Sequence, residues 1–226
     1  MTSPTRQGGP PLGILGLVFT ALFLGGLFGG IALGGGDIYP SPYAAPEEIL
    51  GYFRGHADAV RISAVLQFAA AIPLGIYAAT ASARLHRLGV RAPGATVALA
   101  GGVLASAFLA LSGMLTWTLS RTEFHDHDAA IRILHDLAFA TGGPGHVVPL
   151  GLLVAGIAVP GLLARLLPRW LAVAGLVIAA VAELSTLSLL VEGAGVLLPI
   201  ARFTGLIWLV TAGFLLPKTR KNGTES

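Results

Sequence analysis

Leu12–Gly36 reads LGILGLVFTALFLGGLFGGIALGGG, a run without a charged side chain. A bilayer core about 30 Å thick asks for about 20 mostly apolar residues per helix. The run meets that length. It is too long for the apolar core of a signal peptide, about 7–15 residues, and no A-x-A cleavage site follows it. Arg6 precedes it. We therefore read a membrane span rather than a leader.

Five more stretches of the same kind follow, at 58–83, 95–119, 131–163, 170–190 and 197–217, after a first span at 13–35. Composition agrees. Of 226 residues, 54% are apolar and only 11% charged, with 31 glycines and no cysteine. Soluble domains carry about 25% charged residues and about 7% glycine. A water-soluble globule, a disulfide-stapled secreted domain and a disordered chain are thereby excluded. Thiolate metal sites, iron–sulfur clusters and cysteine nucleophiles fall with them. The expected fold class is all-α: a polytopic transmembrane helix bundle, residues 1–226 forming a single integral membrane domain.

The connecting segments alternate in charge. Asp37, Glu47, Glu48 and Asp58 stand against Arg54 after the first span, and Arg84, Arg87 and Arg91 follow the second. Glu123, Asp126 and Asp128 stand against Arg121 after the third, then come Arg165 and Arg169, then Glu192, then Lys218, Arg220 and Lys221. Positive charge marks the cytoplasmic side, so both termini are expected there. The isoelectric point near 9.7 then reflects topology and lipid contact, and no nucleic-acid partner is expected. Pro40 and Pro42 keep Tyr39–Tyr43 irregular, and from Pro46 a short helix is expected, with Glu47 and Glu48 complementing its dipole. Tyr39, Tyr43, Tyr52 and Phe53 suit an outer interfacial belt and Trp170 an inner one. Gly26, Gly30 and Gly34, spaced by four, predict close helix packing inside the bundle. Ile72-Pro73-Leu74-Gly75 and Val148-Pro149-Leu150-Gly151 hint at a duplicated hairpin.

Ionisable groups inside a membrane are costly and point to sites. Along the fourth span stand His125, His127, Asp128, Arg132, His135 and Asp136, followed by Gly142-Gly143-Pro144-Gly145-His146. His125, His127, His135 and Asp136 are the metal-ligand candidates, because imidazoles with a carboxylate suit zinc or non-haem iron. The plainer reading is an ion-pair ladder of Asp128, Arg132 and Asp136 at helical spacing. Pro144 removes a backbone bond in mid-span beside three glycines. The break serves either a packing kink or a ligand site of the kind transporters build from broken helices. Glu183 is the only acid deep in the fifth span, and Arg202 in the sixth is its expected partner. His56, Ser63 and Gln67 share one face of the second span, and Ser112 and Thr116 fill the outer half of the third. Together these predict a polar cavity opening outward, bordered by spans two to six. Its ligand-binding candidates are Gln67, His135, Asp136, His146, Glu183 and Arg202.

Leu167-Pro168-Arg169-Trp170-Leu171, Ala201-Arg202-Phe203-Thr204-Gly205, His135-Asp136-Leu137-Ala138-Phe139 and Gly142–His146 resemble a family of small bacterial multi-pass membrane proteins described only as a domain of unknown function. The resemblance implies a six-helix membrane fold and no activity. Arginine far outnumbers lysine, which fits a GC-rich, actinobacterial genome and a bacterial plasma membrane.

Three functions compete. The first is a small transporter-like or sensor/accessory protein, non-enzymatic, binding a small ligand or protons without a cofactor; its shortness for a transporter favours a homodimer. The second is a membrane-embedded metal-dependent enzyme with Glu183 as base. The third is a structural or assembly partner.

Overall fold

Pro11 holds its backbone extended ahead of Leu12, and α1 (Leu12–Leu33) follows. Gly34–Gly36 stop it, and Gly35 and Gly36 take φ values of 70° and 102° that side chains disfavour. The computed structural model describes residues 9–124 and 126–219; Arg6, His125, Arg220 and Lys221 lie outside them. Seven further α-helices are α2 (Pro46–Gly55), α3 (Ala57–Arg87), α4 (Gly94–Leu119), α5 (Asp128–Gly142), α6 (Pro144–Leu163), α7 (Arg169–Leu184) and α8 (Leu197–Leu215), with short 3-10 turns at Thr122–Phe124, Ser185–Leu189 and Glu192–Val196. No strand occurs among the described residues.

Six segments are long and apolar enough to cross a membrane: α1, α3, α4, the α5–α6 pair, α7 with its 3-10 extension, and α8 with the turn before it. The chain is an all-α, multi-pass membrane protein. The second span runs four residues past its expected end, to Arg87, and the fourth begins three residues early, at Asp128. The short helix starts at Pro46 as the sequence predicts, with both glutamates in its first turn and Ile49 and Phe53 fully buried beneath it.

Packing follows membrane rules. Interhelix contacts are made by small residues, including Ala78, Ala98 and Ala105, each 0% exposed. Ile72, Ile76, Val177, Ile207 and Phe214 turn outward, where hydrocarbon is as good a solvent as a protein core. A Cβ on Gly101 would sit 2.6 Å from Leu152 Cβ and from the Leu153 nitrogen, which sets how closely α4 and α6 approach. On α1, Gly26 and Gly30 face α3: a Cβ would lie 3.2 Å from Leu66 Cβ and 3.3 Å from Ser63 Cβ respectively. The glycine series is thus used for internal packing.

The fourth span is central. In its most apolar window 61% of residues are buried, against 28–39% in the other five. Polar side chains spend their donors on backbone carbonyls of neighbouring helices. Tyr77 donates to Leu209 O at 2.8 Å, and Trp208 Nε1 to Leu171 O at 2.8 Å. Gly213 lies against Leu12 and Gly13 and Arg84 donates to Leu216 O, so both ends of the described chain lie at one end of the bundle. The opposite end carries α2, the 34–45 segment and the α4–α5 connection, tied by an Arg54–Asp128 ion pair of 2.5 Å.

Candidate functional site

α5 and α6 are one span interrupted at one residue. Gly143 adopts φ −81°, ψ −108° and leaves the helix, its N–H still bonded to Phe139 O at 2.6 Å. Pro144 then opens α6 with a ring that needs no donor. A Cβ on Gly143 would stand 2.6 Å from Phe139 O, so the turn admits only glycine without adjustment. The C-terminal carbonyls of α5 are left without their usual partners. The Arg202 guanidinium, reaching from α8, donates through Nη2 to Gly142 O. A cation at a helix C-terminus is favoured by the dipole as well as by the hydrogen bond.

This junction forms part of the wall of a cavity of about 400 Å³. Its polar part is continuous. Gln67 Nε2 donates to Ser112 Oγ at 3.3 Å, and Ser112 donates to Ala138 O at 2.9 Å. Ser112 also meets Gly142, beside Arg202. Phe23 of α1 lies under the guanidinium, 5.4 Å from ring centroid to Cζ. The irregular segment Ile38–Pro42, whose prolines bar it from helix, lines the cavity at the bundle end that carries α2, the side we take as its mouth. Two anchors hold that segment: His135 Nε2 to Pro40 O at 3.1 Å, and the Tyr43 hydroxyl to Ser188 O at 3.2 Å.

His135 is fully buried, with the rings of Tyr39 and Phe53 each 5.4 Å away. Since Pro40 O only accepts, Nε2 carries the proton and Nδ1, which has no partner, is a bare acceptor. Tyr39 and Phe53, expected at a lipid belt, pack around this imidazole instead, because α2 folds over the bundle end, whereas Tyr43 stays exposed. The Tyr39 hydroxyl is sealed from solvent beside Thr116 without a hydrogen bond of good geometry, and burial pushes its phenol well above the ordinary range. Tyr52 is raised too, first by burial and then by the Asp37 carboxylate. His56 spans α2 and the loop through Tyr52 O (3.1 Å) and Asp37 (3.3 Å).

Of the six binding candidates, Gln67 and Arg202 line the cavity, with Ser63, Ser112 and Thr116. His135 lies beneath the mouth segment. His146 is fully buried, its Nδ1 bonded to Ala105 O at 2.9 Å and its Nε2 without a partner. Asp136 and Glu183 are exposed on the bundle's outer face. Four expectations are corrected. Glu183 and Arg202 form no ion pair, since Glu183 faces outward from α7 while the carbonyl end of α5 claims Arg202. The Asp128–Arg132–Asp136 ladder does not form, because Asp128 pairs with Arg54. His127, His135 and Asp136 do not converge, and among the described residues no three metal-ligating side chains do; His125 lies outside them. The cavity is bordered by spans one, two, three, four and six, not five. Glycines on α1 let that helix close against Ser63, a wall that a search for polar residues overlooks.

Compared with protein-family models, with curated proteins and with solved structures, the chain matches none.

Proposed function

We propose that this is a small ligand-binding membrane protein, transporter-like or sensory, whose cavity opens to the outside of a bacterial plasma membrane and holds a small polar molecule. The positive-inside rule orients it: Arg84, Arg87, Arg91, Arg165, Arg169 and Lys218 lie on one side of the spans, with both ends of the described chain. The cavity end carries Asp37, Glu47, Glu48, Asp58 and Asp128. One observation carries the reading. A guanidinium within a mostly apolar bundle faces a roomy cavity while its Nε has no partner. Intramembrane charge is expensive, and the default explanation is a site. A cavity of this volume lies in the range of small-molecule sites, about 300–1,000 Å³. The hinge of a broken helix at its wall is the element transporters use to hold ligands and to move.

Thermal unfolding of the protein in phosphatidylcholine nanodiscs tests the reading against water-soluble compounds that fit the cavity and span cationic, neutral and anionic charge. At least one should raise the melting temperature of the wild type but not of Ser63→Phe, in which the cavity is filled. A panel in which no compound does so contradicts the reading.

A further inference from the structure

The cavity's charge is one-sided. Arg202 lies in the lining, and among the described residues no aspartate, glutamate, histidine or lysine lies there with it. Among the described residues no carboxylate stands within ion-pair distance of Arg202. Gly142 O takes one nitrogen, and the carbonyl end of a helix offers only about half a charge. Among the described residues the rest of the positive charge has no counterpart. Neutral donors continue the same surface: the Gln67 amide donates to Ser112, which abuts Gly142. Ser41, Ser63 and Thr116 add hydroxyls to the lining, and its apolar part is formed by Leu27 and Ile31 of α1, Phe139 of α5, Leu198 of α8 and Ile38 of the mouth segment.

We propose that the cavity takes a small organic carboxylate, its carboxylate on Arg202 and its apolar body against α1, Phe139 and the mouth segment. The inference rests on the ligand-binding reading above and names the ligand class of that same site. Arginine suits it because the planar guanidinium matches a carboxylate in two-point fashion. The Phe23 ring, 5.4 Å from Cζ, gives the guanidinium a cation–π contact, and the Gly142 carbonyl holds one of its nitrogens. The apolar walls reject a bare hydrated anion, which would lose water there without gaining contacts. The same chemistry serves a soluble aromatic acid entering at the mouth and a fatty acid drawn from the bilayer.

Radiolabelled benzoate binding to the protein in phosphatidylcholine nanodiscs tests the proposal. Benzoate should bind and unlabelled benzoate should displace it, while benzamide and benzylamine, of similar shape but neutral and cationic, should not. Acetate and inorganic phosphate should compete roughly tenfold or more weakly than benzoate. Arg202→Gln should weaken binding by roughly tenfold or more, with Arg202→Lys between. Octanoate distinguishes the sources: displacement tighter than by benzoate assigns a bilayer-borne acid, and weaker displacement a soluble one. Benzamide or benzylamine competing as well as benzoate overturns the carboxylate assignment and leaves the ligand-binding reading standing. Benzoate failing to bind a wild type that neutral or cationic compounds stabilise has the same meaning. If no compound of any charge binds, both fall. These comparisons are made on the wild type, so they hold even if Arg202→Gln folds poorly.

Discussion

Arg202 closes the end of α5 at Gly142 and faces the cavity at once. Its removal therefore has a structural as well as a binding consequence. Arg202→Gln should lower stability in detergent by about 1.5–3 kcal/mol, the usual worth of a hydrogen bond to a charged group, read from thermal or denaturant unfolding. Glu183 is the contrasting case. Exposed and unpaired with Arg202, it should tolerate Glu183→Gln within about 0.5 kcal/mol; a larger loss would restore a structural role the geometry denies it. Tyr39 supplies a pH test. Burial raises its phenol above the ordinary 10.0, so the folded state holds the proton that the unfolded chain releases. Its contribution is intact below pH 10 and declines as pH climbs beyond it. Tyr39→Phe removes a buried hydroxyl with no partner, so it should leave neutral-pH stability unchanged or slightly higher and reduce the alkaline loss. An alkaline melting profile identical to wild type would contradict the burial of that hydroxyl.

Among elements, the α5–α6 break and the glycine contacts decide the architecture. Gly101→Ala should cost about 1–3 kcal/mol by overpacking α4 against α6, where its Cβ meets backbone as well as Leu152. Gly29→Ala has nothing within 4 Å of the new carbon and should be neutral or gain up to about 1 kcal/mol from helix propensity. Equal losses at the two positions, measured by unfolding in one detergent, would contradict the packing. Gly75 abuts Ser106 on α4, and Gly151 abuts Ala182 on α7, the same distance downstream in the chain. The faint repeat of Ile72–Gly75 in Val148–Gly151 therefore extends to how the following helix docks. Helix breaking was legible from a combination: Pro73, Pro149 and Pro160 stay inside continuous helices, whereas at Gly142-Gly143-Pro144 two glycines weaken the turn in which the proline removes a hydrogen bond. Pro46 opening α2 is the same kind of signal. The partner of Arg202 was not legible, since depth along two helices says nothing about which way their faces turn. Glu183 and Arg202 are both intramembrane, yet one faces outward and the other the interior.

At the scale of the molecule, six apolar runs and their charged connections were readable because bilayer thickness and backbone satisfaction leave few alternatives. The cavity was half readable. Ser63, Gln67, Ser112 and Thr116 announce a polar surface by helical spacing, whereas the α1 wall and the Ile38–Pro42 cover consist of glycine, proline and apolar residues that carry no polar signal. His135 shows the limit of reading a side chain by type: a metal-ligand candidate by sequence, it holds the cover segment in place through Pro40. The proposal's central claim is an outward-opening cavity in a bundle whose arginine-rich end faces inward, and the absence of cysteine from the chain makes it directly measurable. Gln67→Cys and, in a separate variant, Arg91→Cys would be treated in intact cells with a membrane-impermeant thiol reagent small enough for the cavity. Gln67→Cys should react from outside, and Arg91→Cys, in the α3–α4 connection, only after permeabilisation. A Gln67→Cys protein that stays unmodified in intact cells, or an Arg91→Cys protein that reacts in them, would contradict the account.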